Sequence, residues 1–172
     1  TPLYSSAASD VYKRQGLTSV NIPDNMTTIG DYAFNYCTDL TNVVLGNGVT
    51  TIGNRAFYYC TDLTSIVIPD SVTSIGDEAF ALCPSLCSAV IGSSVTTIGY
   101  RTFYYCSGLT SVIIGSSVTT IGIEAFYICS SLTSVDIPDS VMSIEDHAFS
   151  GCSKLASVDI GISVMTIGEG AF

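Results

Sequence analysis

The chain is poor in positive charge, has a single histidine, and contains no long apolar run. Five Lys and Arg stand against fifteen Asp and Glu, for a formal charge of −10. Phosphate binding needs clustered basic side chains, so this balance argues against a nucleic-acid partner. The one histidine, His147, leaves the many serines without a base to activate them, which argues against nucleophilic catalysis. Apolar residues come in short bursts broken by Ser, Thr, Gly and Asp, and none approaches the ~20 residues that span a bilayer. No membrane insertion is expected of this segment. What is present is a composition 47% hydrophobic and 12% charged, that of a chain that folds around a core rather than a solvated disordered one. The acidity speaks for solubility.

Residues 1–15, TPLYSSAASDVYKRQ, share no pattern with the rest. The stretch SSAASDVYKRQ resembles the one-frame translation of a transposase-type sequencing adapter. It is set aside as a non-native, disordered tail, which implies a metagenomic origin for the gene. Without Lys13, Arg14 and Asp10, three basic and fourteen acidic residues remain, a charge of −11.

From Gly16 onward the chain repeats itself. Leu recurs at 17, 40, 63, 86, 109, 132 and 155, and Phe at 34, 57, 80, 103, 126, 149 and 172, always 23 residues apart. A fixed period of this size marks a solenoid, in which each unit leaves an apolar face that its neighbours cover. Within a unit, Leu63, Ile66 and Ile68 end in an alternating β-branched pattern that predicts a short strand with one face inward. Pro23, Pro69 and Pro138, or Gly46, Gly92, Gly115 and Gly161 at the same place, then turn the chain. Segments such as 72–75 predict a second brief strand, ended by Gly30, Gly53, Gly76, Gly99, Gly122 and Gly168 where the chain must reverse. Ala56, Phe57 and Cys60 follow at i, i+1 and i+4, a spacing that predicts one short helical turn with all three on one side. Stacked coils would set Phe over Phe in an aromatic spine and Cys over Cys in a sulfur ladder. The predicted class is therefore an α/β repeat, and 16–172 is one solenoid domain of about seven repeats.

The unit L-x-x-V-x-I-P/G-x-x-V-x-x-I-G-x-x-A-F-x-x-C resembles the BspA-like leucine-rich repeats over 16–172. That resemblance implies a right-handed solenoid with a parallel sheet along one face and short helical turns along the other. It also implies a non-enzymatic, secreted or cell-surface bacterial module that mediates adhesion through a protein or glycan ligand on a host or neighbouring cell. No catalytic residue, metal or cofactor comes with it. The alternative is a structural spacer that carries other domains of a larger surface protein. Glu145, where Gly is usual, puts the turn of the sixth copy in question. Leu17 begins almost at the first genuine residue and Phe172 stops three short of the next ladder cysteine. The piece is thus expected to be a fragment truncated at both ends, prone to fraying or self-association.

Several residues invite a functional reading beside the structural one. Six cysteines, Cys37, Cys60, Cys83, Cys106, Cys129 and Cys152, lie on the ladder. Strands ~4.8 Å apart with parallel Cβ vectors do not suit a disulfide, which wants Cβ atoms ~3.8 Å apart and converging. Buried free thiols are expected, with Cys87 exposed. Asp24, Asp70 and Asp139 are separated by one or two coils, too far to surround a calcium ion, and are read as turn-stabilising. His147 sits at a variable, solvated position. Two surface stripes remain as candidate binding residues. On the outward sheet position the chain runs Asn21, Val44, Val67, Val90, Ile113, Asp136, Asp159, in which the four apolar residues form a candidate contact patch. Beside the Phe spine stand Tyr58, Tyr59, Tyr104, Tyr105 and Tyr127, plus Tyr36, a residue type favoured at interfaces.

Overall fold

A computed structural model of the protein describes residues 16–172; the expected tail, 1–15, lies outside the described residues. Each 23-residue coil lays down one long and one two-residue strand. In chain order these are β1 (Ser19–Ile22), β2 (Thr28–Ile29), β3 (Asn42–Leu45), β4 (Thr51–Ile52), β5 (Ser65–Ile68), β6 (Ser74–Ile75) and β7 (Ser88–Ile91). Then come β8 (Thr97–Ile98), β9 (Ser111–Ile113), β10 (Thr120–Ile121), β11 (Ser134–Ile137), β12 (Ser143–Ile144), β13 (Ser157–Ile160) and β14 (Thr166–Ile167). All pairings are parallel and join residues 23 apart, such as Ile66 with Ala89 and Val67 with Val90. The long strands form the ladders β1–β3, β5–β7–β9 and β11–β13, and the short ones β2–β4–β6 and β8–β10–β12–β14. Where the long ladder breaks between β3 and β5, Thr64 N still donates to Thr41 O at 3.4 Å.

The phenylalanines form one column. From Phe34 to Phe172 successive ring centroids lie 5.1, 5.3, 5.5, 5.3, 5.1 and 5.4 Å apart, with planes no more than 12° from parallel. Leu40, Leu63, Leu86, Leu109 and Leu132 are wholly buried beside it. Each coil therefore hides its apolar face only by lying against the next. Burial of a large apolar side chain contributes ~1.5–3 kcal/mol, and with several such positions per coil, stacking is the main source of stability.

The predicted helical turn is not there: the described residues contain no helix. Ala56, Phe57 and Cys60 are buried as expected, but on consecutive turns. In each of the first five coils two residues four apart take positive φ, as Tyr32 and Tyr36 (58° and 59°) or Arg55 and Tyr59 (51° and 60°), which no helix tolerates. The physical reason lies in where the N–H groups point. Those of Tyr32, Phe34 and Tyr36 donate to Asn54 O, Ala56 O and Tyr58 O of the next coil at 2.9, 2.7 and 2.9 Å, so they are unavailable for i−4 bonds. A single helical turn is costly to nucleate, and bonds between coils displace it.

The glycines also differ from expectation. Gly53 and Gly76 do not use positive φ; a Cβ at either would come within 2.5 and 2.4 Å of the backbone nitrogens of Asp31 and Asn54 in the preceding coil. Their role is close approach between coils rather than a tight bend. Glu145 keeps the hydrogen bonds of the glycines it replaces, donating to Ile121 O at 2.8 Å and accepting from Ala148 N at 3.2 Å. The turn of the sixth copy is intact.

Candidate binding surfaces

Strand alternation sends Ile66 and Ile68 inward and Val67 outward. The pairing register then sets Val67, Val90 and Ile113 side by side, with Val44 next to Asn21 in the first ladder. Val44, Val67 and Ile113 are 49%, 60% and 59% exposed, whereas Val90 is half-buried between its two neighbours. The four thus form one apolar strip on the sheet face. It ends at Asp136 and Asp159, which pair in register on β11 and β13. A groove of about 500 Å³ runs along the strand ends beside Val67 and Val90, bounded by Pro69, Asp70 and Gly92.

The turn face carries all eight described tyrosines. Six of them gather into two groups rather than one stripe. Tyr36 packs on Tyr58 and Tyr59 with centroids 5.7 and 5.0 Å away, and Tyr104 on Tyr105 and Tyr127 at 4.7 and 5.3 Å. The third coil places Ala81 and Leu82 between the groups. Tyr36, Tyr59 and Tyr105 are exposed. Tyr58 and Tyr104 are partly covered, and burial raises the pKa of their hydroxyls.

Sequence reasoning missed the charge pairing on this face. Arg55 donates to Glu78 through Nε and Nη2 at 3.1 and 2.9 Å, and Arg101 Nε donates to Glu124. Arg55 lies 5.3 Å from the Tyr58 ring centroid, and Arg101 4.8 and 4.6 Å from Tyr100 and Tyr104, distances suited to cation–π attraction. The signal was the order Arg55, Glu78, Arg101, Glu124 at steps of 23, at a position taken to be merely solvated.

The remaining candidates settle into structural roles. The cysteines are reduced thiols, buried except for Cys87. Cys60, Cys83, Cys106, Cys129 and Cys152 each donate to the carbonyl of Phe34, Phe57, Phe80, Phe103 and Phe126 in the preceding coil, at 3.1–3.3 Å. Those carbonyls lie beside the core, and the thiol is a small donor that fits there. Burial raises the thiol pKa of Cys60, Cys83 and Cys129. Asp24, Asp70 and Asp139 do not stabilise their own turns so much as tie coils together. Each accepts the N–H of the residue 23 further on, Asn47, Ser93 or Ile162, at 2.7, 2.7 and 3.0 Å. The Ser93 N–H holds Asp70 below the usual carboxylate range. His147 is exposed, its ring lying where a Cβ on Gly170 would be 2.7 Å from Nδ1. Among the described residues no group of three or more His, Cys, Asp or Glu could hold a metal ion, and no helix is long and apolar enough to cross a membrane.

Comparison with known proteins matches residues 6–133 and 96–172 to the model of the BspA type leucine rich repeat region, in six copies. No curated protein matches the chain. Among solved structures, a leucine-rich repeat protein from Eubacterium ventriosum is 34% identical with a TM-score of 0.86, over 90% of this chain and 42% of that one. The leucine rich repeat protein of T. pallidum is 32% identical with a TM-score of 0.83, over 90% and 74%. A leucine rich cell surface protein from Faecalibacterium prausnitzii is 33% identical with a TM-score of 0.62, over 91% and 58%. The chain thus spans less than half the length of the first of these.

Proposed function

This chain belongs to the BspA-type leucine-rich repeat family, and on that premise we propose that it is a non-enzymatic binding module of a secreted or cell-surface bacterial protein. Its sheet face engages a ligand on a host or neighbouring cell, and adhesion is the outcome. The observation that carries this reading is the strip Val44, Val67, Val90 and Ile113, four neighbouring apolar side chains turned to solvent where the repeat itself requires nothing apolar. Surface patches of this kind mark interaction sites. The description of the F. prausnitzii relative as a cell surface protein supports the compartment. The tyrosine groups at Tyr58, Tyr59, Tyr104, Tyr105 and Tyr127 offer a second contact area, because Tyr presents rigid amphipathic surface at low entropic cost.

The test is a binding screen of the labelled chain against arrays of extracellular proteins and of glycans. It is run beside the variant Val67→Asp, Val90→Asp, Ile113→Asp. Saturable binding that the folded variant loses is the expected result. A chain that acts only as a spacer would bind nothing saturably, and hydrolytic activity that survives extensive purification would overturn both readings.

A further inference from the structure

The sheet face carries the same groove twice. The first, beside Val67 and Val90, has a volume of about 500 Å³ and is flanked by Asp70 and Gly92. The second, of about 320 Å³, is lined by Asp136, Asp139, Asp159 and Gly161. Every one of these positions lies 69 residues, three coils, beyond its counterpart. With strands ~4.8 Å apart the two grooves are ~14 Å apart along the solenoid. Ile113, on the coil between them, bridges the gap with exposed apolar surface. One groove thus has an apolar wall and its repeat an acidic one.

The acidic groove is electrostatically unsatisfied. Asp136 and Asp159 occupy paired positions on adjacent strands, and like charges placed directly opposite are destabilising. The ion pairs among the described residues are Arg55–Glu78 and Arg101–Glu124, both on the turn face. No described cation neutralises Asp136 or Asp159.

We propose that the occupant of this face is an extended protein segment that lays apolar side chains over Val67, Val90 and Ile113 and sets a Lys or Arg between Asp136 and Asp159. At ~3.4 Å per residue, ~14 Å corresponds to a separation of about four residues, and residues i and i+4 of a strand point to the same side. The segment therefore carries its cation four residues beyond the apolar side chain that fills the first groove. This rests on the reading of the sheet face as the binding surface and adds to it the chemistry and spacing of the ligand.

The experiment uses the full chain and an array of synthetic ten-residue peptides. Each holds a short Val/Ile tract and one Lys placed from one to six residues beyond it, with matched Lys→Glu copies. The best binder should have the four-residue spacing, and its Glu copy should bind roughly tenfold more weakly, the scale of two exposed charge pairs turned from attraction to repulsion. The difference should shrink at about 1 M salt. The double variant Asp136→Lys, Asp159→Lys, with folding checked by circular dichroism, should prefer the Glu peptide. Binding that depends on Val67 and Ile113 but ignores peptide charge and the two aspartates would overturn this inference and leave the sheet-face reading standing. Binding indifferent to both sets of residues would overturn both.

Discussion

The interior and the surface of this solenoid obey different rules, though both repeat every 23 residues. Inside, the Phe and Cys columns hold one residue type along their length: seven rings in register, and thiols that repeat one hydrogen bond from coil to coil. Outside, each column changes partway. The sheet column goes from Val and Ile to Asp after Ile113, and the tyrosines stop after Tyr127. Interior sameness follows from stacking, because each coil must offer the next a matching dry face. Surface change has no such cause, so it is where a specific function can be written.

The interior is the place to break the fold. Replacing Phe80, whose ring is packed on both faces, with Ala should cost about 3–5 kcal/mol, measured by denaturant unfolding. Next in size is a pH effect. The buried thiols Cys60, Cys83 and Cys129 have raised pKa values, so the native state holds protons that the unfolded state gives up. Stability is then complete below the unfolded thiol value of about 8.5 and falls as pH rises above it, by up to about 1.4 kcal/mol per pH unit for each thiol. Unfolding curves from neutral to alkaline pH check this, and a Cys83→Ala variant should show a shallower fall. Smallest is the surface ion pair. Glu78→Gln removes the charge opposite Arg55, whose side chain is 43% exposed, and should cost about 1 kcal/mol or less, less still at high salt.

The sequence disclosed the interior almost fully, because a column of identical Phe or Leu at a fixed period admits one arrangement. It did not disclose how the turn side is built. The spacing of Ala56, Phe57 and Cys60 fits a helical turn as well as two consecutive turns with Arg55 and Tyr59 at positive φ. The discriminating fact, that Phe57 N donates to Ala79 O of the next coil at 2.8 Å, concerns a backbone group that no side-chain pattern reports. Tyr, Arg and Glu in left-handed positions also run against residue preference, so propensity pointed the wrong way. Gly53 was read as a point of chain reversal, when the backbone of the preceding coil decides it. On the surface, strand alternation was enough to place Val44, Val67, Val90 and Ile113 on the outward side of the sheet. The half-burial of Val90 depends on what stands on either side, which a single copy of the repeat does not reveal.

Thermal unfolding of two variants side by side separates the interior from the surface most directly. Phe103→Ala should melt far below the parent chain, while the triple variant Val67→Thr, Val90→Thr, Ile113→Thr, which stays β-branched and adds no charge to the paired strands, should stay close to it, surface sites usually shifting stability by about 0.5 kcal/mol or less each. Equal losses in the two variants, or a parent-like melt for Phe103→Ala, would show that the stacked column does not hold this molecule together.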